Sequence, residues 1–168
     1  MHGYVVDSNR LATQAGAAVQ MDASGQITAA RGLEFEWNAG GQLVAVRRGG
    51  IELARYHYDY KGRRTRKHTH AQAAQGEQTV LYAYDVFDRL KGEFDGTGRA
   101  LRTYVWSDEG PVAVIEHGPP ERVLYLETDH LHTPVGARDE AGRRVWRWVS
   151  EAFGASAAEE DPDGDGHA

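Results

Sequence analysis

Two clusters of side chains in this 168-residue chain have the types and spacing for chemistry. Asp129-His130-Leu131-His132 sets a carboxylate beside two imidazoles. On a strand, the i, i+2 spacing would put His130 and His132 on one face, where neutral imidazoles could hold zinc. His57, His68 and His70 flank a basic run of Lys61, Arg63, Arg64, Arg66 and Lys67, a composition that suggests a metal-dependent nuclease. Each cluster also has a plainer account. Two histidines do not close a metal site, and Asp129 can equally start a tight turn with its own backbone. A phosphate-binding surface needs stacking rings and cations on one surface. Tyr56, Tyr58 and Tyr60 instead share one strand face, and the charges mostly begin after the turn. With no cysteine and no G-x-S-x-G elbow, nucleophilic catalysis has no recognisable nucleophile. The expectation is a non-enzyme with no catalytic residue, no metal ligands and no cofactor.

The residues around these clusters follow a repeat. FEWNAGGQL (35–43), YHYDYKGRR (56–64), YAYDVFDRL (82–90) and YVWSDEGPV (104–112) each read aromatic, any residue, aromatic, short polar residue, then a turn. Taking the polar residue as anchor gives Asn38, Asp59, Asp85 and Ser107, with Asp129 and Glu151 continuing the series. The intervals are 21, 26, 22, 22 and 22. The ring pairs Phe35/Trp37, Tyr56/Tyr58, Tyr82/Tyr84, Tyr104/Trp106 and Trp146/Trp148 hold ten of the 16 aromatic residues. Their i, i+2 spacing places each pair on one face of a strand. Glu36, His57, Ala83, Val105 and Arg147 stand on the other face, a more polar set. The paired rings are expected to pack against neighbouring strands. The alternative is an exposed platform for stacking sugars.

An anchoring Asx or Ser can bond the backbone two residues on, and a glycine three places later takes positive φ without strain. That place holds Gly41, Gly62, Gly110 and Gly154, but Asp88 and His132 in the other two units. A second set of turns reads D-x-x-G, at Asp22–Gly25, Asp95–Gly98 and Asp139–Gly142. Each unit of about 22 residues then holds two ordinary strands and two tight connections. The fold class predicted is all-β, an antiparallel meander of roughly a dozen short strands. Ala12 to Val19 carries a helical alternative that Gly16 weakens. His68 to Gln78 reads as a long hairpin loop that accounts for the interval of 26.

The net charge of −6 is concentrated at the C-terminus, where Glu159, Glu160, Asp161, Asp163 and Asp165 leave the body near −1. Charge therefore gives no argument for nucleic acid or an anionic membrane as partner. Composition divides the chain into a β-sheet segment, 1–155, and an acidic flexible tail, 156–168. The opening MHGYVVDSNR lacks an apolar leader and no stretch approaches a membrane span. The expected location is cytoplasmic before export, with release by a signal-peptide-independent system.

YHYDYKGRR and YAYDVFDRL resemble the YD repeats of RHS (rearrangement hotspot) proteins. YLETDHLHTPVGARDEAGRRVWRWVSEAFG resembles the C-terminal part of the RHS core: D-H-L-G-T-P, then D-x-x-G, a Trp-containing strand and an A-F-G turn. Asp129, His130, Leu131, Thr133, Pro134, Asp139, Gly142, Trp146, Ala152, Phe153 and Gly154 fit that pattern. His132 stands in place of its glycine, and Ser150 and Glu151 stand where Tyr and Asp are common. The family pattern already holds Asp129 and His130, which favours the turn account of the first cluster. The resemblance implies a segment of a spiral β-shell that encloses a toxic cargo domain, with the remainder of the shell, that cargo and a secretion apparatus as partners. Asp161-Pro162-Asp163-Gly164 is similar to the family's self-cleavage sequence but lacks the following leucine. The expected function is a non-catalytic structural segment of an RHS-type polymorphic toxin shell. A cell-surface carbohydrate-binding or adhesive module is the alternative, and a metal-dependent nuclease a further one. A fragment of such a wall would expose strand edges that favour self-association.

Overall fold

The computed structural model describes residues 2–4, 6, 10–14, 16–149, 156–162 and 164. These residues form fifteen strands and no helix. The strand order follows the chain order, and neighbouring strands pair antiparallel from residues 2–4 through 78–84 and from residues 90–95 through 144–147. The chain clusters into two compact units, Met1–Leu81 and Tyr82–Ala168. The first holds β1 (His2–Tyr4), β2 (Leu11–Gln14), β3 (Ala17–Met21), β4 (Ile27–Ala30), β5 (Leu33–Trp37), β6 (Leu43–Arg48), β7 (Ile51–Tyr58) and β8 (Arg64–Thr69). The division falls inside β9 (Gln78–Tyr84). The second holds β10 (Leu90–Asp95), β11 (Ala100–Trp106), β12 (Pro111–Glu116), β13 (Arg122–Thr128), β14 (Pro134–Arg138) and β15 (Arg144–Arg147).

The connections explain the period. In the first unit the Asp22, Asn38 and Asp59 turns join β3 to β4, β5 to β6 and β7 to β8, so they share one end of the strands. Asp22, grouped by sequence with the D-x-x-G turns inside the units, therefore belongs to the anchor row. The opposite end is closed by Arg31-Gly32 (φ 53° and 74°) and by Gly49-Gly50 (φ 56° and 78°). Positive φ at both central residues matches the right-handed strand twist of a two-residue hairpin. In the second unit Asp85, Ser107 and Asp129 share one end, and the Asp95 and Asp139 turns lie at the other.

Residues 70–77 form the long β8–β9 connection, closed by Ala73 N–H to His70 O and Gly76 N–H to Ala73 O. The helical alternative at Ala12–Val19 is overturned: β2 and β3 form a hairpin there, paired Thr13 to Ala18 and Gln14 to Ala17. Gly16 at φ 81° supplies its turn. A helix interior has no use for that conformation, whereas a tight hairpin requires it.

The core is made of small residues. Ala45, Ala54, Val80, Ala113, Ala137 and Val145 are buried, as is Thr69, whose hydroxyl donates to Gly76 O at 2.7 Å. Among the described residues no large side chain is fully buried. The aromatic pairs expected to form a packed face are half-buried instead. A single sheet layer can bury a small side chain between flanking strands, but not a ring.

Candidate functional site

One turn recurs at seven anchors and accounts for most of the motif. At Asp59 the backbone closes with Asp59 N–H to Arg63 O and Gly62 N–H to Asp59 O. Asp59 Oδ1 accepts the N–H groups of Lys61 (3.0 Å) and Arg63 (2.9 Å). Asp85 takes Phe87 and Arg89 in the same way, Asp139 takes Ala141 and Arg143, and Asn38 takes Gly40 and Gln42. Asp22, Asp95 and Asp129 complete the set. The residue three after the anchor is left-handed in all seven, including the two departures from glycine, Asp88 (φ 64°) and His132 (φ 60°). At three of the anchors the second carboxylate oxygen is held by the arginine four residues on. Arg63 Nε meets Asp59 Oδ2 at 2.7 Å, Arg89 meets Asp85 at 2.8 Å and Arg143 meets Asp139 at 2.8 Å.

These contacts set the charge state of the anchors. At Asp59 and Asp85 desolvation works to raise the pKa, but the N–H and guanidinium of the following arginine outweigh it and hold the carboxyl below its usual range. At Asp139 the Arg143 guanidinium is the largest influence, in the same direction. Asp95 is lowered first by the Thr97 hydroxyl and amide.

The same geometry decides the Asp129 cluster. The amides of Thr133 and Leu131 bond Asp129 Oδ1 at 2.9 and 2.8 Å and hold its pKa low. His130 and Leu131 form the turn itself, so the strand spacing that would align His130 with His132 does not exist there. His132 lies instead against the neighbouring Ser107 turn: a Cβ built on Gly110 would come within 3.0 Å of His132 Cβ. Among the described residues no three His, Asp or Glu side chains are grouped as a metal site.

The histidines and basic run of the first unit are likewise dispersed into pairs. His68 Nδ1 lies 2.8 Å from Thr79 Oγ1, and His70 Nε2 lies 3.2 Å from Glu52 Oε1. Arg63 clamps Asp59, Arg64 lies 4.6 Å over the Tyr56 ring, and Lys67 donates to Gln75 Oε1. Arg66 pairs across the ladder with His57 on the other face. Arg63, Arg64 and Lys67 are thus each engaged by a different partner.

The two faces carry different cohesion. On the ring face, the second aromatic of a pair sends its polar tip across the hairpin to the carbonyl five residues after the preceding anchor. Trp37 Nε1 donates to Ile27 O (2.8 Å), Tyr58 Oη to Leu43 O (2.7 Å) and Trp106 Nε1 to Leu90 O (2.7 Å). On the opposite face ion pairs cross the strands. Glu36 meets Arg47 at 2.6 Å in the first unit, and Glu127 meets Arg138 at 2.6 Å and Arg144 at 3.0 Å in the second. Glu36–Arg47 and Glu127–Arg138 each join the residue two before an anchor to the residue nine after it. Glu52 is the most strongly held carboxylate, its pKa lowered to about 2 chiefly by the Arg55 guanidinium, with His70, Arg55 and Arg47 adding against desolvation.

In the second unit the ring face is hollowed into a groove of about 770 Å³ lined by Tyr104, Trp106, Leu124, Leu126, Ala137 and Trp146. Burial pushes the Tyr104 phenol well up, and its 2.7 Å hydrogen bond to Glu93 acts the same way. That phenol is therefore a neutral donor.

The arginine clamps and aromatic tethers were missed in the sequence. A signal for the clamps was present: Arg63, Arg89 and Arg143 each stand four residues after an aspartate anchor, as does Arg99, whose backbone amide meets Asp95. Ser150, Glu151, Ala152, Phe153 and Gly154, and the expected segment boundary at residue 155, lie outside the described residues.

A chain of antiparallel hairpins closed by repeated Asx turns and tied by aromatic tips is a YD-repeat β-wall. Residues 6–165 match the family model described as Teneurin YD-shell, and the chain belongs to that family of RHS/YD-repeat proteins. It is 29% identical over 195 residues to "Toxin protein Tse5" of Pseudomonas aeruginosa, covering 92% of this chain and 14% of that protein. Among solved structures it is similar to the crystal structure of TcdB2-TccC3-TEV, with a TM-score of 0.61 and 20% identity over 91% of this chain and 8% of the other. A Photorhabdus luminescens Tc holotoxin pore gives a TM-score of 0.56 and 21% identity over 88% of this chain and 8% of that one. These structural likenesses concern the fold. The chain spans a small part of each relative's length.

Proposed function

We propose that the chain is a non-catalytic wall segment of an RHS-type toxin shell, serving to enclose a toxic cargo domain and to assist its delivery. The observation that carries this reading is the cassette itself: hairpin, carboxylate-closed turn and aromatic tether recur through both units without a large buried core. Such a construction makes a surface, not an interior, and the match to a toxin protein supplies the context. The partners proposed are further YD-repeat strands and the cargo they surround. Cytoplasmic synthesis followed by signal-independent export belongs to the same proposal.

The experiment is to tag the chain in its native cell, isolate it without denaturation, and identify what accompanies it by size and mass spectrometry. The expected result is an assembly, or a longer polypeptide, containing additional YD-repeat sequence and a protease-resistant domain without YD repeats. A free monomer with no YD-repeat companion would overturn the proposal.

A further inference from the structure

Among the seven anchors of the recurring turn, six are followed by a residue with a side chain, namely Ala23, Ala39, Tyr60, Val86, His130 and Glu140, whereas Asp95 is followed by Gly96. That difference is chemical. The carboxyl carbon of an aspartate lies within reach of the next residue's amide nitrogen, and attack there closes a five-membered succinimide. A Cβ on the next residue hinders the approach, and glycine does not. Gly96, Thr97 and Gly98 are exposed, so water reaches this turn.

The turn itself opposes the reaction. Asp95 Oδ1 accepts Thr97 N–H (2.8 Å), the Thr97 hydroxyl (2.7 Å) and Arg99 N–H (3.1 Å). Donors on a carboxylate favour the anion, and the Thr97 hydroxyl and amide are the largest influences holding Asp95 below its usual range. Cyclisation needs the neutral acid, whose hydroxyl leaves as water. It also needs the carboxyl to turn out of these bonds toward the Gly96 nitrogen.

We propose that Asp95–Gly96 is a modification site, converted slowly to an L-isoaspartyl linkage when the turn opens, and that Thr97 is the residue that holds it back. The Gly96 nitrogen forms a bond to Asp95 Cγ, a C–O bond of the protonated carboxyl breaks, and water leaves with the amide proton. Hydrolysis of the ring at the former main-chain carbonyl takes one water back, so the sum is an isomerisation without oxidant or reductant. The main chain then runs through Cγ and is one methylene longer. The carbonyl that accepted Gly98 N–H (3.0 Å) becomes a free carboxylate, and the β10–β11 connection loses its closure. The product has the chemistry recognised by S-adenosylmethionine-dependent L-isoaspartyl O-methyltransferases.

The test ages the full chain at neutral pH and reads the tryptic peptide 92–99, GEFDGTGR, by chromatography, mass spectrometry and methyl transfer from an isoaspartyl methyltransferase. Digestion separates this peptide from the tail, where Asp163-Gly164 and Asp165-Gly166 repeat the dipeptide. The free synthetic peptide is expected to isomerise about tenfold faster than the folded chain, because nothing holds its carboxyl. Thr97→Ala is expected to raise the rate in the folded chain about threefold, with the circular dichroism of the sheet retained. Thr97→Ser keeps the hydroxyl and should match the parent, and Gly96→Ala should suppress the product in chain and peptide alike. Equal rates in the folded parent and the free peptide, an unchanged rate in Thr97→Ala, a Thr97→Ser chain as fast as the free peptide, or a free peptide that does not isomerise would each overturn the proposal.

Discussion

The Asp59 and Ser107 turns occupy equivalent places in their units and are closed by different means. Asp59 accepts two backbone amides and a guanidinium, so its hairpin end is satisfied by residues 59–63 alone. Ser107 accepts a single amide, that of Glu109, at 3.2 Å, and its backbone closes one residue earlier, from Ser107 N–H to Gly110 O. Gly110 sits at φ 146°, outside the conformation shared by the seven other turns, and the next turn leans on it through His132. A carboxylate anchor is self-sufficient, whereas a hydroxyl anchor relies on its neighbour.

The largest expected effect comes from breaking the self-sufficient turn at its backbone. Gly62→Val places a β-branched residue at φ 81° and drives its Cβ to 2.8 Å from Gln42 Nε2. A loss of about 2 to 3 kcal/mol is expected by chemical denaturation. Next is the tether: Trp106→Phe removes the donor to Leu90 O but keeps the ring, for a loss of about 1 kcal/mol in the same measurement. Asp59→Ala should lower the melting temperature more than Ser107→Ala does, because three donors lose their acceptor in place of one. Ser107→Ala itself is expected to cost about 0.5 kcal/mol. An equal cost for the two substitutions would remove the distinction between the turns.

Acid sharpens the same contrast. The anchors Asp59, Asp85 and Asp139 have folded pKa values below their reference of 3.8, so their contribution is complete above that pH. It is lost as pH falls through the folded values. Glu52 follows the same sign, its contribution fading from 4.5 down to about 2. Amide exchange at Lys61 and Arg63 should therefore quicken below pH 3.8, beyond the intrinsic pH dependence, while that at Glu109 should show no such step. In Glu52→Gln the fall in melting temperature over the 4.5-to-2 window should be shallower than in the parent.

How much was legible depended on whether a residue's role is local. The anchors were readable because Asp59 and Lys61 are two apart in sequence, and a short carboxylate reaches that amide whatever surrounds it. The long β8–β9 loop was readable for the same reason. The tethers were not, since Trp106 meets Leu90 only once the hairpin register is known, and Tyr58 meets Leu43 in the same way. His132 looked like a defect in the turn rule. The structure puts it in the glycine conformation regardless, because the Asp129 bonds on either side fix the backbone. The aromatic pairs were assigned to the correct face but given too deep a burial, because alternation reports a face and not what covers it. In one layer of strands the covered positions belong to Ala45, Ala54, Ala113 and Ala137.

Turns that close on their own carboxylates have a consequence for inheritance. When a cassette of about 22 residues needs nothing from a distant interior, a tandem duplication adds a working hairpin pair, and a deletion in frame removes one without leaving a hole. Genes built this way can change the length of their product in whole steps, and the seams of such events would fall at residues like Asp85 and Asp129, where each unit hands over to the next.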